Sequence, residues 1–319
     1  SVDSSTANVL EARRVRRQRN LNMVEIPEHY VTITDELLGK GGFGSVYMAD
    51  YNGRNAAAKV VQVNHNLGRL NSLAGETAGG VNLLEPRVGH EDSRRTAFWR
   101  ELQAMWRLRS PHTVHLYGAI TSRDDRLVLV MELLPGGDLR ALLSDAIDPL
   151  AEEDARRIIG DVCAGMAFLH LKETIHGDLK SPNVLFDGAG RAKIGDFGTS
   201  KWPELTNSTG LATYTTGANQ STQMSFPWAA PEVLDDKGIS YASDVYSFGV
   251  IAWEVLSREI PWADDSRRTI YVRVVLKEQR PILPVGSPAD LAKVVNACWD
   301  CAPTTRPTFN DIMTSTRWE

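Results

Sequence analysis

Cysteine is scarce in this chain: three among 319 residues, an odd number. That excludes a framework of paired disulfides and fits a reducing compartment. Long apolar runs are missing as well, and nothing approaches the ~18 consecutive apolar residues of a bilayer-spanning helix. Positive charge is not in excess. The formal net charge is −5, which argues against a surface given over to nucleic acid, and no such partner is expected. Histidines do not gather around Cys298-Trp299-Asp300-Cys301, so this C-x-x-C lacks the other half of a zinc site and reads as structural. No internal repeat and no signal-peptide pattern are present. The chain opens on Ser1, and the expectation is a segment of a longer intracellular, cytoplasmic protein.

What is present is ordinary for a globular protein: 42% hydrophobic and 24% charged residues, enough for a sizeable core. Residues 1–29 form a basic arm with Arg13, Arg14, Arg16, Arg17 and Arg19, and a short helix over Val9–Arg19. Such a run is most simply a solvated face or flexible arm; an acidic regulatory partner or a membrane surface is the alternative. From Tyr30 to Val63 the pattern is β-like and punctuated by glycine. Residues 64–95 lose periodicity and read as an inserted loop, a second candidate surface for a regulatory partner. Helical spacing returns at Phe98–Leu108, strands follow at Val114–Ile120 and Leu127–Met131, and Pro135-Gly136-Gly137 ends them. The remainder is mainly helical. Ala155, Ile158, Ile159, Val162, Met166 and Leu169 line one face of a helix, and Ser243 and Asp244 open another that runs through Trp253.

Seven short motifs occur in a fixed order. The first is the turn Gly39-Lys40-Gly41-Gly42-Phe43-Gly44-Ser45-Val46. Backbone without side chains can approach phosphate oxygens and offer N–H donors. The same G-x-G-x-x-G serves dinucleotides when it opens directly into a helix; here it lies between two strands, which disfavours a nicotinamide-dependent oxidoreductase. Lys59 follows in Ala56-Ala57-Ala58-Lys59-Val60, where an ammonium among small apolar residues needs an anionic partner. Glu101 is the candidate, with Glu85 and Glu91 as rivals. The remaining motifs are His176-Gly177-Asp178-Leu179-Lys180, Asn183, Asp196-Phe197-Gly198 and Ala230-Pro231-Glu232.

This ordered set resembles the catalytic domain of eukaryotic protein kinases over about Tyr30 to Ile312. Trp228-Ala229-Ala230-Pro231-Glu232, Ser243-Asp244-Val245-Tyr246-Ser247-Phe248-Gly249 and Arg306-Pro307 are similar to its tyrosine-kinase-like group, which includes Raf and mixed-lineage kinases. The resemblance implies an α+β bilobal fold: a small β-rich N-lobe (about 30–132) with one main helix, a hinge (about 132–138) and a larger α-helical C-lobe (about 139–319). It implies transfer of the γ-phosphoryl group of Mg·ATP to Ser/Thr hydroxyls of protein substrates in signalling, with autophosphorylation; Mn²⁺ is an alternative metal. A nucleotide-binding pseudokinase scaffold is the alternative function.

Under that resemblance Asp178 accepts the proton of the acceptor hydroxyl, Lys180 steadies the γ-phosphate, and Asn183 and Asp196 hold the metal. Lys59 pairs with the α- and β-phosphates and with Glu101. Gly39, Lys40, Gly41, Gly42, Phe43 and Gly44 cover the phosphates. Val46, Ala57 and Leu185 sandwich the adenine, Met131 guards the pocket behind it, Glu132 and Leu134 offer backbone groups to it, and Asp138 meets the ribose. Asp244 braces the catalytic loop, Glu232 pairs with Arg306, and Met105, Leu116, His176 and Phe197 form an apolar column.

Two departures stand out. Lys59 and Glu101 are 101 − 59 = 42 positions apart, longer than the family's usual connection. Gly177 replaces the family's arginine, so one attraction that orders the phosphorylated activation segment is missing. That segment carries Thr206, Ser208, Thr209, Thr213, Thr215, Thr216, Ser221 and Thr222, of which one or two are expected phosphorylation sites. Ser225 stands where relatives carry a threonine near the catalytic aspartate.

Overall fold

The computed structural model describes residues 24–41, 44–63, 90–123, 125–145, 150–201 and 225–318. Most of the basic arm, residues Gly42 and Phe43, most of the 64–95 insertion and the hydroxyl-rich stretch Thr206–Thr222 lie outside the described residues. The chain divides into two compact units. The first holds the described residues up to Leu102 together with His115–Leu133, and the second holds Gln103–Val114 and the chain from Leu134 onward.

In the first unit, strands β1 (Val31–Gly41), β2 (Gly44–Tyr51), β3 (Arg54–Gln62), β4 (Leu116–Ile120) and β5 (Arg126–Glu132) form one antiparallel sheet in the order β1-β2-β3-β5-β4. Ala56, Ala58, Val60, Val128 and Val130 on its two central strands pack with Ile26, Val31, Ala49 and Ile120 into a core. Small residues on β3 let neighbouring layers approach closely. Gly44 is required for the same reason: a Cβ there would lie 2.5 Å from the carbonyl oxygen of Val60.

Residues 24–26, assigned by the sequence to the arm, lie against the β4 edge of this sheet through an isolated bridge between Glu25 and Ala119. Ile26 donates to the Ala119 carbonyl at 2.7 Å, Ala119 donates to Val24 at 2.8 Å, and Thr121 donates twice to the Glu25 carboxylate. The outer edge of β4 is thereby covered, and an uncovered edge is a template for aggregation.

Helix α1 spans His90–Arg107. It starts eight residues before the sequence places it, so residues 90–95 belong to the helix and not to the inserted loop. The weak apolar spacing of His90–Thr96, rich in Arg, Glu and Asp, hid this first turn.

The second unit contains α2 (Leu139–Asp145), α3 (Glu152–Leu171), the hairpin of β6 (Val184–Phe186) and β7 (Ala192–Ile194), α4 (Pro231–Leu234) and α5 (Tyr241–Ser257). It ends with α6 (Arg267–Tyr271), which runs on as a π-helical turn over Val272–Leu276, then α7 (Ala289–Cys298) and α8 (Phe309–Ser315). Ala155, Ile158, Ile159, Val162, Met166 and Leu169 on α3 are all buried, as their three- and four-residue spacing requires.

α5 begins two residues before the expected Ser243. Its cap is Ser240, whose hydroxyl accepts from the Ser243 N–H while the Ser243 hydroxyl accepts from the Ser240 N–H. Ser243 is the second half of this reciprocal box. From Ser243 to Val255 nearly every α5 side chain is buried, the pattern of a helix at the centre of a bundle. Cys163, Cys298 and Cys301 are free thiols. Among the described residues no helix is long and apolar enough to cross a membrane, and none groups three or more His, Cys, Asp or Glu side chains for a metal.

Candidate active site

In the first unit, β3 places Lys59 opposite Val46 on β2 and Leu129 on β5, and Ala57 opposite Met131. Lys59 Nζ lies 2.6 and 2.8 Å from the two carboxylate oxygens of Glu101 on α1. Both side chains are largely withdrawn from water, at 11% and 5% exposure. An ammonium this dry is tolerable only beside an anion. Gly39 borders open space and Lys40 is exposed, whereas Val46 and Met131 are half-buried and Ala57 is buried. Glu132, at the end of β5, is pinned to His115: its N–H donates to the His115 carbonyl at 2.9 Å, and its carboxylate accepts the His115 N–H at 2.7 Å.

In the second unit, the chain from His176 to Asn183 is held from one side by Asp244 on α5. Its Oδ2 accepts the His176 N–H at 2.8 Å and lies 3.0 Å from His170 Nε2, while its Oδ1 accepts the Gly177 N–H at 2.9 Å. A buried carboxylate with these donors is satisfied, and the loop it grips cannot drift. His176 itself is fully buried. Its Nδ1 accepts the Asp178 N–H at 3.3 Å, so the ring proton sits on Nε2, 3.1 Å from the Gly195 carbonyl. Packed against the Phe197 ring, this imidazole is a packing element.

Gly177 has φ +78°, a left-handed conformation that side chains resist, and a Cβ there would lie 2.7 Å from the Ile239 side chain. Glycine is therefore the residue this backbone favours at position 177.

Asp178 Oδ2 accepts from Lys180 Nζ at 2.6 Å, and the same ammonium donates to Ser225 Oγ at 2.9 Å. Asn183 Nδ2 donates to the Asp178 carbonyl at 2.8 Å, which turns the amide oxygen away from that contact. The Gly195 N–H donates to the Asn183 carbonyl at 2.9 Å, closing the open end of the β6–β7 hairpin, which Asn183 precedes and Asp196 follows. Asp196 occupies the left-handed region at φ +57°, a strained placement for a residue with a Cβ. Leu185, on β6, is half-buried and bridges to Asp138, whose Oδ1 accepts the Ala141 N–H at 2.9 Å as a cap of α2. Leu134 opens the second unit and accepts from Gly137. Of the expected apolar column, Met105, Leu116, His176 and Phe197 are all buried, with Leu116 in the first unit and the others in the second.

Away from these groups, Arg306 Nη1 and Nη2 meet the Glu232 carboxylate at 2.6 and 2.9 Å, and the guanidinium also serves the Ala242 and Asp300 carbonyls. A buried carboxylate that the motif reading overlooked, Glu254 on α5, accepts from Ser181, Trp228 and Arg140. Its signal in the sequence is one acid inside the otherwise apolar run Phe248–Leu256.

The family model for protein tyrosine and serine/threonine kinases matches residues 32–316. The chain is 34% identical to the serine/threonine-protein kinase CTR1 of Arabidopsis thaliana over 87% of this chain and 30% of that protein. It is 32% identical to a probable LIM domain-containing serine/threonine-protein kinase of Dictyostelium discoideum, over 87% of this chain and 37% of that protein. It is 29% identical to the dual specificity protein kinase shkB of the same organism, over 97% of this chain and 43% of that protein. It thus spans less than half the length of these relatives. A match along nearly the whole chain places this chain in the protein tyrosine and serine/threonine kinase family.

Proposed function

We propose that the chain is an ATP-dependent protein kinase that transfers the γ-phosphoryl group to serine and threonine hydroxyls of protein substrates, itself included, within the cell. The observation that carries this reading is the shared ammonium of Lys180, bonded to both the Asp178 carboxylate and the Ser225 hydroxyl. Asp178 is the acceptor for the substrate hydroxyl's proton, and the attacking oxygen then displaces ADP from the γ-phosphorus. Lys180 supplies positive charge where the transferred group gathers negative charge. Lys59, oriented by Glu101, offers an ammonium to the α- and β-phosphates. The glycine turn, Val46, Ala57, Met131, Glu132, Leu134, Asp138 and Leu185 have the nucleotide-binding roles expected of them from the sequence.

Asn183 and Asp196 are the oxygen donors we assign to the metal, and oxygen donors suit Mg²⁺, a hard cation that takes its other ligands from phosphates and water. When bound there, the ion neutralises phosphate charge. Catalysis is otherwise a matter of positioning, since phosphoryl transfer leaves little covalent chemistry for the protein.

The test is incorporation of labelled phosphate from ATP into casein and into the chain itself, with Mg²⁺, followed by phosphoamino-acid analysis. Phosphoserine and phosphothreonine are expected, and Asp178→Asn should abolish both. Phosphotyrosine as the main product would overturn the hydroxyl specificity. ATP binding without any transfer would make the chain a pseudokinase.

A further inference from the structure

The loop between the π-helical turn and α7, residues 277–288, is tied to α5 yet leaves apolar side chains in water. Ile282 is 89% exposed and Val285 is exposed completely. Neither stands alone. With Ile260, Trp262 and Leu283 they line an open-sided cavity of about 1200 Å³ in the second unit. Apolar residues scattered singly over a surface are ordinary, but a continuous apolar groove is where another molecule docks.

The backbone carrying these side chains is fixed. Trp253 Nε1 donates to the Ile282 carbonyl at 2.8 Å, which ties the loop to α5. Arg280 Nε donates to the Trp299 carbonyl at 2.7 Å, and its Nη1 donates to the carbonyls of Gln279 and Val274. The Ser287 N–H and hydroxyl both donate to the Pro284 carbonyl. Pro281, Pro284 and Pro288 fix φ at three further points. A loop free to collapse would bury its own apolar side chains; this one is anchored through its backbone and holds them outward. Its ordering entropy is lost on folding, so an incoming chain meets a surface that needs no further ordering.

Charge decides what kind of chain that is. Arg258 donates to the Leu143 carbonyl at 2.8 Å, and Arg273 pairs with Asp265 at 2.8 Å while its guanidinium lies over the Trp262 ring. Glu152 pairs with Arg156 at 2.7 Å. Two wall carboxylates remain, Glu259 and Asp264, both exposed and in no ion pair with any described residue. The groove thus combines an apolar floor with two uncompensated negative charges, whereas every guanidinium on its walls already has acceptors. Such a surface attracts a basic segment and repels an acidic one.

We propose that this groove docks a segment of a partner protein in which apolar side chains are flanked by lysine or arginine. The apolar residues lie on Ile260, Trp262, Ile282 and Val285, and the basic flanks face Glu259 and Asp264. Docking of this kind needs no phosphoryl transfer, so it stands apart from the kinase reading.

The test uses the whole chain and arrays of short synthetic peptides in three sets. The first has cores of Leu, Ile, Val, Phe and Pro between Lys and Arg flanks. The second has the same cores between Glu flanks, and the third has Gly and Ser cores between basic flanks. Binding should concentrate in the first set and weaken as salt is raised. The tightest peptide, measured again in solution by fluorescence anisotropy, should bind at least tenfold more weakly to the double variant Ile282→Asp, Val285→Asp. The double variant Glu259→Lys, Asp264→Lys should lose the first set and gain the second. All four side chains are exposed, so the melting temperature should not change.

No preference for the first set, or wild-type affinity in both double variants, would overturn the proposal. Sedimentation showing a dimer that Ile282→Asp, Val285→Asp dissolves would give the face to a second copy instead. Binding to phosphatidylserine vesicles in place of peptides would give it to a lipid surface. Should one double variant melt early, the other decides under the same criteria. A chain that binds the first set and transfers no phosphate loses the kinase reading alone; one that transfers phosphate and binds no peptide set loses this inference alone.

Discussion

Gly177 shows how a single backbone angle can decide a residue. At φ +78°, any side chain costs about 1–2 kcal/mol, and here it must also displace the end of Ile239. Gly177→Arg should therefore destabilise the second unit by about that amount, read as a lower midpoint in urea. An unaltered midpoint would show that the loop relaxes freely. Glu254 makes a pH prediction at the same scale. Burial raises its pKa to about 7 from an ordinary 4.5, against the opposing hydrogen bonds of Trp228 and Ser181 and the charge of Arg140. Arg140, from α2, is the charged group facing it. Between pH 7 and 4.5 the folded state holds a proton that the unfolded state has lost, so this carboxyl's contribution to stability rises as pH falls through that window. The full effect is on the order of 3 kcal/mol. Glu254→Gln has no such proton to bind, and its stability relative to wild type should decline from pH 8 to pH 5. A constant difference over that range would mean the carboxyl does not titrate there.

At the scale of elements, α5 organises the second unit because its start is locked and its body is apolar. Removing half of its capping box by Ser240→Ala should cost about 1 kcal/mol of unfolding free energy, with kinetics preserved. The Glu232–Arg306 pair, whose guanidinium is wholly buried, is more demanding. Arg306→Ala leaves the Glu232 carboxylate and two carbonyls without their donor and should cost about 3–5 kcal/mol. Arg306→Lys should recover only part of this, since an ammonium cannot reproduce the two parallel contacts. Thermal or urea unfolding reads both, and equal losses for Lys and Ala would show that the fork geometry is irrelevant.

Helix ends were less legible than helix bodies. The three- and four-residue spacing of Ala155 to Leu169 marked α3 plainly. The first turn of α1, made of charged residues, carried no such stripe. Glu101 was one of three acids that could have answered Lys59, and periodicity alone cannot choose among them across a long connection. The choice follows from where α1 lays its fourth turn against β3.

For the whole molecule, binding and stability are linked. A ligand that binds only the folded state at a concentration of 100 Kd adds about 2.7 kcal/mol. Saturating Mg·ATP should therefore raise the melting temperature of wild type, and Lys59→Met should reduce that gain while also removing the Lys59 contact of Glu101. Adding the nucleotide with a chelator separates the contribution of Asn183 and Asp196: if the shift is as large without divalent metal, those two residues do not hold one.

The amino-acid sequence alone determined the class of protein, because glycines, a lysine and three acid or amide groups in a fixed order are demanded by phosphate chemistry whatever surrounds them. It also determined the long apolar stripes, since a helix buries whatever recurs every three or four residues. Only the tertiary structure decided which carboxylate meets Lys59, why glycine suits position 177, and that residues 24–26 cover the sheet edge. Glu254 accepts from Ser181 and Trp228, 73 and 26 positions away from it. Those choices depend on which backbones pass within hydrogen-bonding distance, and such distances are set by packing between segments remote in the chain.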